Sequence, residues 1–184
     1  MMREQDACLH VLYTRRSIRE FENKPVPRSL IRKLVRAATY APSALNSQPW
    51  RFVVLTDNDK KQFVRRCVDE ATVELGLYKQ NTVFIEHATL IVVFSTSDKL
   101  SHIMSCCAAI QNLLLAATCF GLGSVWMYRP IALDKHIKAL KKLLKVPRNY
   151  VPIGVVAVGY SKARPRAPKR LPLSQIMFYN TMSR

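Results

Sequence analysis

With 184 residues, 49% of them hydrophobic and 22% charged, the chain can bury a core of its own and is too apolar to stay disordered. Its formal net charge of +17 attracts anions of every kind, nucleic acid and acidic membranes included, without choosing among them. The cysteines at 8, 67, 106, 107 and 119 form no Cys-x-x-Cys pair, so neither a metal centre nor a disulfide framework is expected, and reduced thiols in the cytoplasm suit them.

Residues Met1 to Asp6 are polar and the apolar stretch after them is short and broken, so no export signal is expected. A helix is predicted from roughly Gln5 to Tyr13, running into Thr14-Arg15-Arg16-Ser17-Ile18-Arg19-Glu20-Phe21. Pro25 and Pro27 frame a short extended piece. Pro27 then suits a first helical turn, and Leu30, Ile31, Leu34, Val35 and Ala38 make one apolar stripe at helical spacing. That helix ends before Pro42, because the residue preceding a proline is pushed out of the helical region. Arg51 to Thr56 predicts a strand, and Asp57 or Asn58 can cap a helix whose inner face is Phe63, Val64, Cys67, Val68 and Ala71. Between about Leu75 and Ile85 the pattern is lost, as in a loop or short helix.

Leu90 to Phe94 is an unbroken apolar run rich in β-branched residues, the mark of a buried strand. Ile103 to Phe120 approaches the length of a membrane span. Gln111 and Asn112 at its centre favour instead a helix buried on nearly all sides, in a large core or a dimer interface. Gly121 stands where a helix C-cap is expected. Ser124 to Tyr128 predicts a short strand. Leu133 to Lys145 predicts an amphipathic helix with Ile137, Leu140 and Leu144 opposite Lys135, Lys138, Lys142 and Lys145. Val151 to Tyr160 is the last strong strand, and the tail beyond Ser161, rich in Lys, Arg and Pro, runs extended along a surface. Alternating helices and strands of this kind predict a layered α/β or α+β domain.

Three stretches carry candidate chemistry. Arg15-Arg16-Ser17-Ile18-Arg19 gathers guanidinium groups that can bind phosphate bidentately and stay charged at any working pH, although such a cluster also serves as a solvated surface. Ala41-Pro42-Ser43-Ala44-Leu45-Asn46-Ser47-Gln48-Pro49-Trp50 is stiffened by prolines and offers amide donors and acceptors suited to the edge of a heteroaromatic ring. Gly121-Leu122-Gly123-Ser124-Val125-Trp126 is not a dinucleotide fingerprint, since a helix precedes it and Trp126 stands where the third glycine would be.

In this order the stretches resemble the nitroreductase family of flavoproteins. The resemblance rests on Arg-Arg-Ser-Ile-Arg-x-Phe, then Pro-Val, then Ala-Pro-Ser-x-x-Asn-x-Gln-Pro-Trp, Gly-Leu-Gly-Ser-Val-Trp, Val-Gly-Tyr and Arg170-Leu171-Pro172-Leu173, and covers nearly the whole chain. It implies an α+β fold: a three-layer sandwich with a central mixed sheet flanked by helices, in an intertwined homodimer. Residues 1–184 would form one FMN-binding domain, with residues 161–184 as an extended tail along the partner subunit. It implies bound FMN and NADH or NADPH as co-substrate. Hydride would pass through flavin N5 to a nitroaromatic, quinone or similar small-molecule acceptor in a ping-pong cycle.

The resemblance also implies residue roles. Arg15 and Ser17 would hold the FMN phosphate and ribityl chain, Arg16 would add backbone contacts, and Arg170 would complete the phosphate site, with Lys169 beside it a weaker candidate. Arg19 would stand at the pyrimidine edge, where a fixed cation tunes the flavin electrostatically. From the partner subunit, Pro42, Ser43, Asn46 and Gln48 would contact the flavin, while Trp126, Met127 and Tyr128 pass near its reactive nitrogen, largely through backbone. No catalytic side chain is required of the protein. The segment Lys60 to Ile85, where the family roofs its substrate, matches no subgroup.

Two other readings remain open at this level. One keeps the flavin but drops turnover, as a flavin-binding or redox-sensing protein. The other is a basic nucleic-acid or membrane-surface module, supported by the net charge, the lysine face of Lys135 to Lys145 and the tail from Lys162 to Arg170, but lacking any nucleic-acid motif. No specific nucleic-acid or membrane partner is expected. DNA association should therefore be weak, indifferent to sequence and abolished as salt rises, because counterion release would supply all of it. Filter binding across a salt series checks this, and tight sequence-dependent binding at physiological salt would contradict it.

Overall fold

The structure, a computed structural model, describes residues 4–163 and 165–182. The elements follow the hydrophobic periods of the sequence closely. Helix α1 covers Glu4–Thr14, α2 Arg28–Ala38, strand β1 Trp50–Leu55, and α3 Asn58–Glu74. A four-residue helix α4, Phe84–His87, leads into β2, Thr89–Ser95. Helix α5 spans Leu100–Cys119, followed by β3 Gly123–Met127, α6 Asp134–Leu143, β4 Val151–Gly159 and a final turn of helix α7, Leu173–Ile176.

Local chemistry sets the ends. Pro27 sits one residue before α2, with φ −57° and ψ 140°, and the helix starts directly after it. Asp57 caps α3 by accepting the Lys60 N–H at 3.1 Å. Helix α5 stops at Gly121, whose φ of +69° is the left-handed cap, and the Leu122 N–H reaches back to the Ala117 carbonyl at 2.8 Å.

The strands form one sheet in the order β1-β2-β4-β3. All its ladders are antiparallel. The mixed character expected of the sheet is confined, among the described residues, to a single parallel bridge between Ser17 and Ser124. Among the described residues the tail beyond Ser161 forms no ladder, so no full parallel strand is added there.

Side-chain alternation along β2 sends Leu90, Val92 and Phe94 to one face and Ile91 and Val93 to the other, and both faces are covered. On one side α2 contributes Ile31, Leu34 and Ala38, and α5 contributes Ala109, Ile110, Leu113 and Ala117. On the other, α3 supplies Val64 and Val68, α4 Phe84 and Ile85, and α6 Leu140. Helices, sheet and helices make three layers. Each fully buried side chain such as Phe94 or Leu113 contributes about 1.5–3 kcal/mol by leaving water.

Helix α5 is long and apolar enough to span a membrane, yet its inner face is core. It is not enclosed on nearly all sides within one chain: Leu100 and Met104 are exposed, as is Gln111, while the Asn112 amide points to the Ala37 carbonyl at 3.5 Å. The polar pair lies off the core because a single layer of sheet and α2 can cover only one face of a helix.

Helices α3 and α6 are linked by two polar contacts, Lys135 with Glu74 and His136 with Glu70. A carboxylate only accepts, so the His136 Nε2–H donates across 2.9 Å to Glu70 Oε2. That hydrogen bond, with the charges of Lys135 and Arg66 behind it, holds the Glu70 carboxyl below its ordinary value of 4.5. A carboxyl whose folded pKa is depressed stabilises the fold above its unfolded value and loses that contribution as pH falls through the folded one. Thermal unfolding should therefore show stability declining below pH 4.5, with a shallower decline in Glu70→Gln.

Candidate functional site

The segment after α1 is pinned to the sheet edge by backbone hydrogen bonds and two buried side chains. The Arg16 guanidinium closes α1 by donating to the carbonyls of Tyr13 at 2.6 Å and Arg15 at 2.7 Å. The chain then runs extended beside β3: the Ile18 N–H donates to the Ser124 carbonyl at 3.0 Å, and the Glu22 N–H to the Tyr160 carbonyl at 2.9 Å. Ile18 and Phe21 plug into the core, 6% and 1% exposed, and their seats are glycines. A Cβ on Gly123 would lie 2.8 Å from Ile18 Cγ2, and one on Gly159 would lie 2.9 Å from Phe21 Cδ1. Between the plugs Arg19 and Glu20 are left exposed, with Ser17 exposed and Arg15 half-buried before them.

At the far end of β3, Met127 is buried while Trp126 is partly exposed, its indole lying so close over Gly154 that a Cβ there has no room. Tyr128 is mostly exposed. Arg129 opens the short helical turn Arg129–Ile131 and donates to Thr72 Oγ1 of α3 at 3.1 Å. The Arg19 pKa is lowered from its ordinary value, first by burial of its head group and then by the like charge of Arg129. Among the described residues no ion pair neutralises Arg15, Arg19 or Arg129. The Ser124 hydroxyl, beside Ser17, is buried without a hydrogen-bond partner. A cleft of about 220 Å³, lined by Thr14, Arg16, Gly121, Gly123 and Ser161 among others, opens along the same edge.

The second predicted stretch is a rigid loop. The Gln48 N–H donates to Ser43 Oγ at 3.2 Å across it. Leu45, Asn46 and Gln48 hold φ values of 52°, 52° and 45°, in the left-handed region. Such residues store about 1–3 kcal/mol each and persist only where neighbours over-determine them. Here Trp50 is buried at the loop's end and the Pro49 carbonyl accepts from the Thr96 N–H at 2.9 Å. Pro42, Asn46 and Gln48 are left exposed.

The strand order separates the two stretches. The loop enters β1 at one edge of the sheet and the arginine segment flanks β3 at the other, three strand spacings away, about 14 Å. The structure thus places Ser17 beside Ser124 near the start of β3, with Trp126 and Met127 further along that strand, and keeps Pro42, Ser43, Asn46 and Gln48 at the opposite edge of the sheet. Arg170 lies in the exposed tail, and no hydrogen bond joins it to the cluster among the described residues. Arg129, Thr72 and Ser124 were not anticipated from sequence. Arg129 follows a strand with nothing in its neighbours to mark it, whereas Gly123 and Gly159 could have been read as seats for bulky side chains.

Nucleophilic chemistry has little to work with here. Burial pushes the thiols of Cys67 and Cys106 up to about 11, so neither is a thiolate at neutral pH. Among the described residues no cluster of His, Cys, Asp and Glu could hold a metal ion. The arrangement is one of binding: fixed cations, backbone and a stiff polar loop.

The fold is a three-layer α+β sandwich with arginines along one edge of its sheet. The sequence profile of the Nitroreductase family matches residues 12–160, and the chain belongs to that family. A protein of Archaeoglobus fulgidus named as a candidate NADH dehydrogenase/NAD(P)H nitroreductase is 36% identical over 163 residues, covering 85% of this chain and 87% of its own. The crystal structure of a nitroreductase with bound FMN from Bacteroides fragilis is similar with a TM-score of 0.77 and 26% identity, covering 94% of this chain and 98% of that one. An iodotyrosine deiodinase bound to FMN and 3-iodo-L-tyrosine is similar with a TM-score of 0.83 and 25% identity, covering 95% of this chain and 100% of that one.

The glycine seats give a direct test of how the arginine segment is held. Gly123→Ala should destabilise the protein by about 1–3 kcal/mol, because Ile18 approaches with Cβ as well as Cγ2 and cannot swing away. Urea unfolding measures this, and an unchanged midpoint would mean the segment is not seated on β3.

Proposed function

We propose that the chain is an FMN-dependent oxidoreductase that draws on NADH or NADPH and reduces a small organic acceptor such as a nitroaromatic or quinone, as a homodimer. The observation that carries this reading is the division of the site. One edge of the sheet offers uncompensated arginines and an unpartnered buried hydroxyl, the opposite edge offers the rigid amide loop, and a second copy of the chain can bring the two together. The FMN bound in similar structures supports it.

The donor set fits FMN in charge and chemistry. Arg15 and Ser17, with Arg170, would hold the phosphate and ribityl chain, since guanidinium groups match phosphate bidentately. Arg16 would contribute backbone, because its guanidinium already closes α1. The backbone from Trp126 to Tyr128 would pass the ring, and Pro42, Ser43, Asn46 and Gln48 of a second copy would cover its polar edge. When bound, FMN supplies hydride acceptance and donation. Arg19 would provide a fixed positive charge where reduction places negative charge, and among the described residues no ion pair offsets it. Both halves of the cycle would use one open face in turn, so the donor leaves before the acceptor enters.

Purified protein should be yellow and carry about one FMN per chain, identified by mass after extraction; FAD, or no uptake of added FMN, would overturn the reading. Arg15→Ala should weaken FMN binding roughly ten- to hundred-fold, the worth of one charge-assisted hydrogen bond. Arg19→Ala should instead lower the midpoint potential and slow reduction by NADH with a modest loss of FMN, and Arg19→Lys should recover much of both. Potentiometry of the variants beside wild type decides between these two placements.

A further inference from the structure

The outer side of α2 carries almost nothing but cations. Its exposed residues are Arg28, Ser29, Arg32, Lys33 and Arg36, while Ile31, Leu34 and Ala38 pack into the core shared with α5. Arg28, Arg32 and Arg36 recur every four residues and so form one stripe along the helix. No Asp or Glu occurs between Glu22 and Asp57, nor between Asp98 and Asp134, so the layer built by α2 and α5 holds no acid of its own.

Such a stripe is unfavourable for the helix that bears it. Like charges four residues apart repel, and Arg28, in a first turn without an acid, meets the positive end of the helix dipole. Two neighbouring lysines are turned onto aromatic rings, Lys24 over Tyr160 at 4.3 Å and Lys33 over Phe120 at 5.7 Å. Among the described residues the three arginines have neither a ring nor an ion pair. Nucleic acid is gripped by an element that enters a groove or by stacked aromatics, whereas α2 is packed along α5 and shows a single row outward. Just beyond the helix Tyr40 is 75% exposed, and a ring with a polar tip at the end of a basic stripe suits a layer of lipid headgroups.

We propose that the outer face of α2, with Tyr40 at its end, is a docking surface for anionic lipid, its arginines pairing with the phosphates and carboxylates of headgroups. Guanidinium forks match those groups bidentately, and repulsion along the stripe turns to attraction once an anionic plane lies against it. Composition alone could not point to this face, because the charge excess has a place only once the helix is packed. The surface uses none of the residues assigned to the flavin and does not rest on that reading.

The test is co-sedimentation of the purified protein at physiological salt with vesicles of phosphatidylcholine, alone or with about a third phosphatidylserine. Wild type should bind the anionic vesicles and not the neutral ones. Arg28→Gln, Arg32→Gln and Arg36→Gln together should weaken binding roughly hundredfold, each basic residue at an anionic leaflet contributing about fivefold. The corresponding lysine triple should recover most of it. Lys138→Gln, Lys142→Gln and Lys145→Gln together remove the same charge from the exposed side of α6 and should cost far less. The α2 glutamine triple should melt no lower than wild type, because it relieves repulsion within the helix. Equal binding to both kinds of vesicle overturns the proposal, and so does an equal loss from the α6 triple, which would make net charge the cause. Release of the protein by duplex DNA at the same phosphate concentration would assign the stripe to nucleic acid instead. A change of oligomeric state in the α2 triple would assign it to a second copy, and either result overturns the lipid assignment.

Discussion

The seating of Ile18 and Phe21 on Gly123 and Gly159 is the contact on which the rest of the site depends. Without those glycines the extended segment could not approach β3 and β4 closely enough for the Ile18 and Glu22 amides to reach strand carbonyls. With them, two buried plugs three residues apart fix the backbone between them, and Arg19 and Glu20 stay exposed. A cationic cluster on a free loop would spread to relieve its own repulsion. Here burial of apolar neighbours, about 1.5–3 kcal/mol apiece, holds the charges in place.

The same logic of stored cost runs through the polar loop. Positive φ at Leu45, Asn46 and Gln48 is unfavourable, and it is offset by the buried Trp50, the Thr96–Pro49 hydrogen bond and the internal bond from Gln48 to Ser43. Both halves of the site are therefore preorganised before any ligand arrives, which reduces the ordering cost of binding. Strand order then puts the halves on opposite edges of the sheet. The outer side of α5, with Leu100 and Met104 exposed, and Leu9, Leu12 and Tyr13 on α1 offer apolar surface in keeping with a second copy.

The electrostatics are as one-sided as the composition. Acidic residues appear in the structure mainly as partners for α3 and its surroundings: Asp57 at its cap, Asp69 and Glu86 with Arg65, Glu70 and Glu74 toward α6. Among the described residues none pairs with Arg15, Arg19 or Arg129, while Glu20 and Glu22 lie exposed in the arginine segment itself. Guanidinium groups without an acidic partner attract anions more strongly than paired ones do.

Much of this was readable from the chain alone. Periodicity placed the helices and strands to within a few residues, because buried faces repeat at intervals set by backbone geometry, and Gly121 marked its helix end because only a left-handed residue closes that turn. The arginine and proline-serine motifs stood out in the chain because their side chains suit phosphate and ring edges. What periodicity could not supply was partnership across the fold. It did not show that α5 keeps an exposed side, that every ladder runs antiparallel, or that the two motifs end three strands apart. Nor could it bring Arg129 to the Thr72 hydroxyl, 57 positions away in the chain. Local spacing is written in the sequence; which strand lies beside which is decided only when the whole core closes, because burial is shared among distant residues and belongs to no single stretch.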